Sequence, residues 1–415
     1  MSLLSRRACF TVFLVFASAY FLSALIRAIT ATLAPTLTLE FQMSAGDLGL
    51  LAGGYFLGFS AMQLPLGTWL DRYGPKKVIL CFLATAVLGC LAFSIAASFA
   101  TLLTARILCG VGVSACLMAP MTGFRRWMSA SDQLRFTSWM LMSGSLGMLA
   151  STLPVQWLVP VYGWRPLFWG LALLVLLSAA VIAWKVPGWD PQHSKTAQQA
   201  NPSAPGYAQV WANAYFRRLG PLGFFAYGGL VDMQTLWAGP WMIRVTGFSP
   251  LQAATGLFWI NLTMLFTFWA WGMAMPWLIR RGLDAEKLIT FGIPTVFVVL
   301  AAIILLGDAA GPWIVALWTL FCMCSSVCAL LQSSVGLAFP DTLAGRALSA
   351  YNLIIFAGVF VVQWGIGALV DAGRSIGLSQ TGSFQLAMSV FLACSALSYV
   401  YYLATKSHNP LQHTA

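Results

Sequence analysis

The stretch that decides the fold reads Gly67-Thr68-Trp69-Leu70-Asp71-Arg72-Tyr73-Gly74-Pro75-Lys76-Lys77 and joins two long apolar runs. Its first glycine lets the end of one helix approach a neighbour, and Gly74 permits a tight reversal of the chain. Asp71 and Arg72 offer a pair of opposite charges, and the two lysines at the end favour the cytoplasmic face of a membrane. These features predict a cytoplasmic loop between two membrane-spanning helices.

The composition of the 415-residue chain is that of an integral membrane protein. Hydrophobic residues make up 60% of the chain and charged residues 8%, and the mean hydropathy is +0.81. Because a soluble domain is about one quarter charged, this composition excludes an ordinary soluble protein. A helix needs about 20 apolar residues to cross the hydrocarbon layer of a membrane. Twelve such spans are predicted, at 9–39, 46–70, 78–97, 100–123, 136–160, 166–186, 219–243, 250–278, 288–306, 312–338, 348–371 and 382–404.

The net charge of +11 is distributed as the topology of a membrane protein requires. With a cytoplasmic N-terminus, 17 of the 22 Lys and Arg side chains lie on the cytoplasmic side. The exceptions are Arg165, Arg244 and Arg374 on the outer side, and Arg27 and Arg106 within spans. An even number of spans then places both termini in the cytoplasm. We therefore expect a multi-pass protein of the inner (plasma) membrane that contacts lipid and binds no nucleic acid.

A long polar stretch divides the chain into two halves. Residues 187–218 carry Pro, Gln, Asn, Ser and Lys without periodicity, which is typical of a linker. The predicted parts are an N-terminal six-helix bundle at 1–186, a cytoplasmic linker at 187–218 and a C-terminal six-helix bundle at 219–415. When the second half is laid on the first, Gly282 falls on Gly74, a weak self-similarity that supports two repeated bundles.

Two motifs carry a resemblance to a known family. The loop at 67–77 resembles the one between helices 2 and 3 of the major facilitator superfamily, whose pattern is G-x-x-x-D-R-x-G-x-K/R. Arg106, Gly110 and Gly112 resemble the R-x-x-x-G-x-G pattern that begins helix 4 in the same superfamily. The resemblance implies an all-α integral membrane protein with twelve transmembrane helices in two six-helix bundles. It also implies a secondary transporter that works by alternating access around a site at the interface of the two halves.

Arg27, in span 1, is the first candidate for substrate binding. A charged side chain within a span costs about 2.5–3.5 kcal/mol on insertion scales, so it indicates a function or a partner. Tyr20 and Ser23 share the helical face of Arg27, and the resemblance implies that this face meets the central cavity. Because a guanidinium matches a carboxylate or phosphate in shape and charge, these three residues are predicted to bind an organic anion. The alternative for Arg27 is a structural salt bridge or hydrogen bonds to helix carbonyls.

Asp232 is the only acid deep in any predicted span. Burial favours the protonated form of a carboxyl group, so this residue could take up and release a proton as the cavity changes face. It is predicted to couple transport to protons, and the alternative is an ion pair with Arg27. The resemblance makes Arg106 a second candidate for proton coupling. Its alternative is a structural role, in which the long side chain reaches the membrane interface.

Other polar residues give weaker signals. Gln332 and Asn352 are the ones that we expect in the cavity, although either could instead bond a neighbouring helix. Cys322, Cys324 and Cys328 lie close together in sequence, but no His lies near them, so no metal site is expected. The polar segments contain no phosphate-binding glycine loop, which argues against ATP as the energy source. No cofactor is expected.

The favoured function is proton-coupled transport of a small organic anion by a monomer. One alternative is an exporter of apolar or cationic compounds, with Asp232 as the ligand. Drug and proton antiporters of the superfamily carry adjacent Gly and Pro in helix 5, whereas Gly147 and Pro154 are well separated here. Another alternative is a sensor that keeps the fold without transport. An enzyme is not expected, because no cluster of His, Asp or Glu lies near one membrane face.

Overall fold

The computed structural model describes residues 4–188 and 206–405, which fold into helices and form no strand. The helices before the linker are α1 (Arg6–Phe41), α2 (Ala45–Ala61), α3 (Gln63–Ser94), α4 (Phe99–Val113), α5 (Ala115–Trp127), α6 (Ala130–Ala150), α7 (Leu153–Tyr162) and α8 (Trp164–Lys185). Those after it are α9 (Tyr207–Ala212), α10 (Ala214–Leu222), α11 (Gly228–Asp232), α12 (Ala238–Arg244), α13 (Pro250–Arg280), α14 (Ala285–Leu306), α15 (Ile314–Ser325), α16 (Ala329–Leu337), α17 (Asp341–Ser375) and α18 (Gln380–Ala404).

Within the described residues, eight helical stretches are long and apolar enough to cross a membrane by length and composition alone. The remaining predicted spans are also helical, but they are short, interrupted or joined to a neighbour. Helix α2 has 17 residues, predicted span 5 consists of α6 and α7, and predicted span 7 contains two π-helical turns. Predicted spans 9 and 10 follow each other directly within Ala285–Leu337, but Gly307 (φ 51°) and Gly311 (φ 48°) leave helical geometry between α14 and α15. The chain is thus an all-α integral membrane protein whose helices are consistent with the twelve predicted spans.

The chain divides into two compact units. The first contains Met1–Ile29 and Gly54–Ala204, and the second contains Thr30–Gly53 and Pro205–Ala415. This division differs from a simple cut at the linker, because the last third of α1 and the first half of α2 belong to the second unit. The bundle boundaries predicted from sequence therefore stay a prediction.

The predicted loop at 67–77 is much shorter than expected. Within α3 only Gly74 leaves helical geometry, with φ 77° and ψ 163°. A side chain would strain this left-handed backbone, so glycine is required at the reversal. Pro75 follows, and its ring suits the first turn of the helix that resumes there. The sequence located the reversal correctly but overestimated its length.

The predicted linker at 187–218 is also partly helical. Residues 189–205 lie outside the described residues, whereas α9 and the beginning of α10 fall within the predicted linker. The Asn213 side chain accepts a hydrogen bond from the main-chain N–H of Phe216 at 3.0 Å. This N-cap starts α10 five residues before the predicted span at 219–243. Composition alone missed it, because the helix begins in a polar segment.

Candidate functional site

The cationic site of the first unit is built around Arg27 on α1. Its half-buried guanidinium lies close to the hydroxyls of Tyr20 and Tyr55 and interacts electrostatically with both. The guanidinium carbon lies 5.7 Å from the ring centroid of Phe59. Ser23, which is buried, lies beside Tyr55. The structure thus brings the predicted residues Tyr20, Ser23 and Arg27 together and adds two aromatic residues from α2.

Arg106 lies behind this site on α4 and is completely buried. Its Nη1 donates to the main-chain oxygen of Ile26 at 2.9 Å, and its guanidinium carbon lies 5.1 Å from the ring centroid of Tyr55. Gly110, one turn further along α4, permits this approach, because a Cβ there would lie 1.9 Å from the main-chain oxygen of Tyr55. This burial does not fit the alternative in which the Arg106 side chain reaches the membrane interface.

Several buried donors at this site have no hydrogen-bond partner among the described residues. They are Ser23 Oγ, Arg27 Nε, Tyr55 Oη, and Arg106 Nε and Nη2. The acids that the structure describes in this unit are Asp71, at the reversal before Gly74, and Asp132, in the first turn of α6. Neither lies within a predicted span. Because unpaired buried donors and charges are costly, the site is chemically suited to an anionic ligand.

The motif residues at 67–77 lie around the break in α3. Lys76 Nζ donates to the main-chain oxygen of Val186 at 2.8 Å, and the Arg72 guanidinium carbon lies 5.2 Å from the ring centroid of Tyr73. The motif also includes Gly67, Asp71, Gly74 and Lys77, of which Asp71 and Lys77 are exposed. The lysine contact ties the reversal to the end of α8. A part for this motif in conformational change stays a prediction.

Asp232 is the buried acid of the second unit. It is 0% exposed, and neither carboxylate oxygen has a hydrogen-bond donor within the described ranges. It ends α11, which lies between the π-helical turns Gly223–Tyr227 and Met233–Trp237. Such turns occur frequently at functional sites. A carboxyl group buried without donors is costly when charged, so this environment suits a group that holds a proton.

Two polar networks of the second unit connect its helices. Gln332 on α16 donates from Nε2 to Asn352 Oδ1 on α17 at 2.7 Å, so these two predicted cavity residues lie together. Gln363, also on α17, donates to Thr235 Oγ1 at 3.0 Å and accepts from Trp237 Nε1 at 3.2 Å through its main-chain oxygen. The second network fixes the π-helical turn that follows the buried acid.

Sequence reasoning missed Tyr55, although its side chain lies close to both Arg27 and Arg106. The signal was weak, because Tyr55 lies in an apolar run beside Phe56 and Phe59 and carries no charge. Only its hydroxyl distinguishes it from those neighbours. The cysteines do not contribute to a metal site. Within residues 4–188 and 206–405, no group of three or more His, Cys, Asp or Glu side chains is arranged to hold a metal ion.

Comparison with known proteins identifies the family of the chain. A family model described as the Major Facilitator Superfamily matches residues 16–363. The probable sulfoacetate transporter SauU of Cupriavidus necator is 25% identical over 57% of each chain. The 4-hydroxybenzoate transporter PcaK of Pseudomonas aeruginosa is 28% identical over 40% of this chain and 37% of its own. The chain therefore matches only about half, or less, of the length of these relatives.

A solved structure agrees with the chain over nearly its full length. The D-xylose-proton symporter has a TM-score of 0.79 at 15% identity, with 97% of this chain and 98% of the symporter covered. At this identity the likeness establishes the fold alone. The matching family and the named relatives are transporters rather than enzymes.

Proposed function

The chain belongs to the Major Facilitator Superfamily, and from this premise we propose that it is a secondary transporter of a small organic anion. The observation that carries the proposal is the half-buried Arg27 among unpartnered donors, in a unit whose described acids lie outside the predicted spans. A guanidinium presents paired donors that match a carboxylate or sulfonate. The relatives named for sulfoacetate and 4-hydroxybenzoate support an acidic substrate.

Transport is proposed to be coupled to protons through Asp232. A carboxyl group that is wholly buried without donors changes charge only when its surroundings change. Alternating access provides such a change, because it exposes the cavity to each side in turn. Arg106 is proposed to assist this coupling indirectly, since it contacts α1 next to Arg27. The D-xylose-proton symporter has the same fold, which is compatible with this mechanism.

The proposed setting is the inner membrane, with the protein acting as a monomer and both termini in the cytoplasm. The arrangement of Lys and Arg along the chain supports this orientation. The motif at 67–77 then lies on the cytoplasmic side, and Arg165, Arg244 and Arg374 lie on the other side.

A second candidate function is export of a cationic compound. The unpartnered carboxylate of Asp232 favours it, because a cation would satisfy a buried charge that otherwise has no donor. In this case Asp232 binds the substrate and Arg27 is structural. The two functions predict opposite substrate charges, so a direct comparison separates them.

The test uses purified protein in proteoliposomes and measures uptake of labelled sulfoacetate, 4-hydroxybenzoate, D-xylose and tetraphenylphosphonium. An imposed proton gradient and a protonophore separate coupled transport from exchange. Anion function predicts gradient-dependent movement of an acid and no movement of the neutral sugar or the cation. It also predicts loss of this activity in Arg27→Ala. Movement of tetraphenylphosphonium alone, lost in Asp232→Asn but kept in Arg27→Ala, would favour the second candidate.

A further inference from the structure

The hydroxyl of Tyr55 has no hydrogen-bond partner within the described part of the chain, although the residue is buried. Burying a hydroxyl without a partner is unfavourable. Phe56 and Phe59, on the same helix, pack without such a group. A phenylalanine would fill the same space without this cost, so the hydroxyl requires another explanation.

Two contacts position Tyr55, one at its ring and one at its main chain. The Arg106 guanidinium carbon lies 5.1 Å from the ring centroid. The main chain of Tyr55 packs against Gly110, where a Cβ would lie 1.9 Å from the Tyr55 main-chain oxygen. Arg106 is itself fixed by its hydrogen bond to Ile26. These contacts orient the phenol, since the guanidinium covers the ring and leaves the hydroxyl near Arg27 and Ser23.

The donors next to this hydroxyl also lack hydrogen-bond partners. Among the described residues, Ser23 Oγ, Arg27 Nε and Tyr55 Oη are all buried with no acceptor. Three donors from two helices thus converge where no acid of the unit is available. An oxyanion, with several lone pairs and a negative charge, would satisfy all three.

We propose that Tyr55 is a further substrate-binding residue, whose hydroxyl joins Ser23 and Arg27 in binding the oxyanion group of a small organic acid. The proposal rests on the proposed transport of an organic anion and adds the residues that recognise the acidic group. Arg106 is a positioning residue in this arrangement, because its guanidinium lies over the Tyr55 ring and donates to the main chain of α1.

The test compares Tyr55→Phe with the matched variant Tyr402→Phe. Tyr402 is also buried, its ring lies 4.2 Å from the Arg218 guanidinium carbon, and its hydroxyl also lacks a partner among the described residues. Ser23→Ala removes a second proposed donor independently. Melting temperature of the ligand-free protein and dissociation constants for 4-hydroxybenzoate and sulfoacetate are measured in detergent. Sodium chloride and sodium phosphate serve as inorganic anion probes.

We expect Tyr55→Phe to keep or raise the melting temperature of the ligand-free protein, because it removes an unsatisfied polar group. Its dissociation constant for the bound acid should rise about tenfold or more, since a hydrogen bond to a charged group is lost. Ser23→Ala should weaken binding in the same direction. Tyr402→Phe should leave the dissociation constant unchanged.

Three results would overturn this inference. A dissociation constant for Tyr55→Phe within about threefold of wild type would remove the hydroxyl from the site. A lower melting temperature in Tyr55→Phe, with binding unchanged, would assign it to structure. Equal stabilisation of wild type by phosphate or chloride, lost in Tyr55→Phe, would assign the donors to an inorganic anion. If wild type binds neither organic acid, the proposed function fails first, and this inference fails with it.

Discussion

Arg106 donates a hydrogen bond from Nη1 to the main-chain oxygen of Ile26 at 2.9 Å, and Ile26 immediately precedes Arg27. The bond therefore connects the buried arginine of α4 to the turn of α1 that carries the proposed substrate ligand. Arg106 is completely buried, so the contact is a charge-assisted bond in a medium of low dielectric. It holds the main chain of α1 at the residue next to Arg27.

This relationship predicts that Arg106→Lys impairs both stability and binding. A lysine cannot cover the Tyr55 ring and reach the Ile26 oxygen with the same planar group. We expect the free energy of unfolding to fall by about 1.5–3 kcal/mol. The dissociation constant for 4-hydroxybenzoate or sulfoacetate should rise several-fold. The measurements are melting temperature and isothermal calorimetry.

Arg165→Lys is the matched control for that change. Arg165 also donates to a main-chain oxygen, that of Ala96 at 3.2 Å. Its guanidinium carbon also lies over a ring, 4.2 Å from the centroid of Trp164. Arg165→Lys should lower the melting temperature and leave the dissociation constant for the acid unchanged. If Arg106→Lys binds the acid as tightly as wild type, the bond to Ile26 does not position Arg27.

Arg27 gives a prediction about geometry rather than charge. If it binds a carboxylate or sulfonate with two parallel hydrogen bonds, Arg27→Lys should fail almost as badly as Arg27→Ala, because an ammonium is a point charge. Calorimetry of both variants measures this, with Arg374→Lys at an exposed arginine as control. A dissociation constant for Arg27→Lys within about threefold of wild type would indicate a merely structural charge.

Asp232→Asn should uncouple transport from protons. The amide keeps the size of the side chain but cannot release a proton, so accumulation driven by a pH gradient should be lost. Substrate exchange should remain, because exchange needs the loaded cavity to reorient and needs no net proton transfer. Counterflow in proteoliposomes, with and without a gradient, separates the two activities, and Asp308→Asn at an exposed acid is the control. Accumulation against a gradient by Asp232→Asn would exclude it as the coupling residue.

The stability of the same variant tests the ion-pair alternative. Because Asp232 has no hydrogen-bond donor within the described ranges, Asp232→Asn should change the melting temperature little. A permanent pair with Arg27 predicts a large loss, with recovery when Arg27→Gln is combined with Asp232→Asn. Recovery in the double variant would therefore contradict the unpaired environment of Asp232.

The sequence predicted the membrane helices well because hydropathy and span length depend on local composition. It also pointed to Arg27 and Asp232 as candidate site residues, because a charge within an apolar span is conspicuous. It could not point to Tyr55, whose surroundings arise from packing against Arg106 and Gly110 on another helix. Nor could it predict the π-helical turns beside Asp232, which depend on tertiary packing. Local pattern thus located the charges, and contacts between helices determined their surroundings.

Asp371, in α17, is predicted to stabilise the start of α2 within the second unit. Its carboxylate accepts hydrogen bonds from the main-chain N–H groups of Gly46 at 2.7 Å and Ala45 at 3.1 Å. These groups begin α2, where a negative charge interacts favourably with the helix dipole. Asp371→Asn keeps the shape but removes the charge, and we expect about 1 kcal/mol less unfolding free energy and a lower melting temperature. Asp47→Asn is the matched control, because Asp47 accepts only from the neighbouring N–H of Ser44 at 3.0 Å, and its effect should be smaller. Equal melting temperatures for wild type and Asp371→Asn would show that the helix start is held by packing instead.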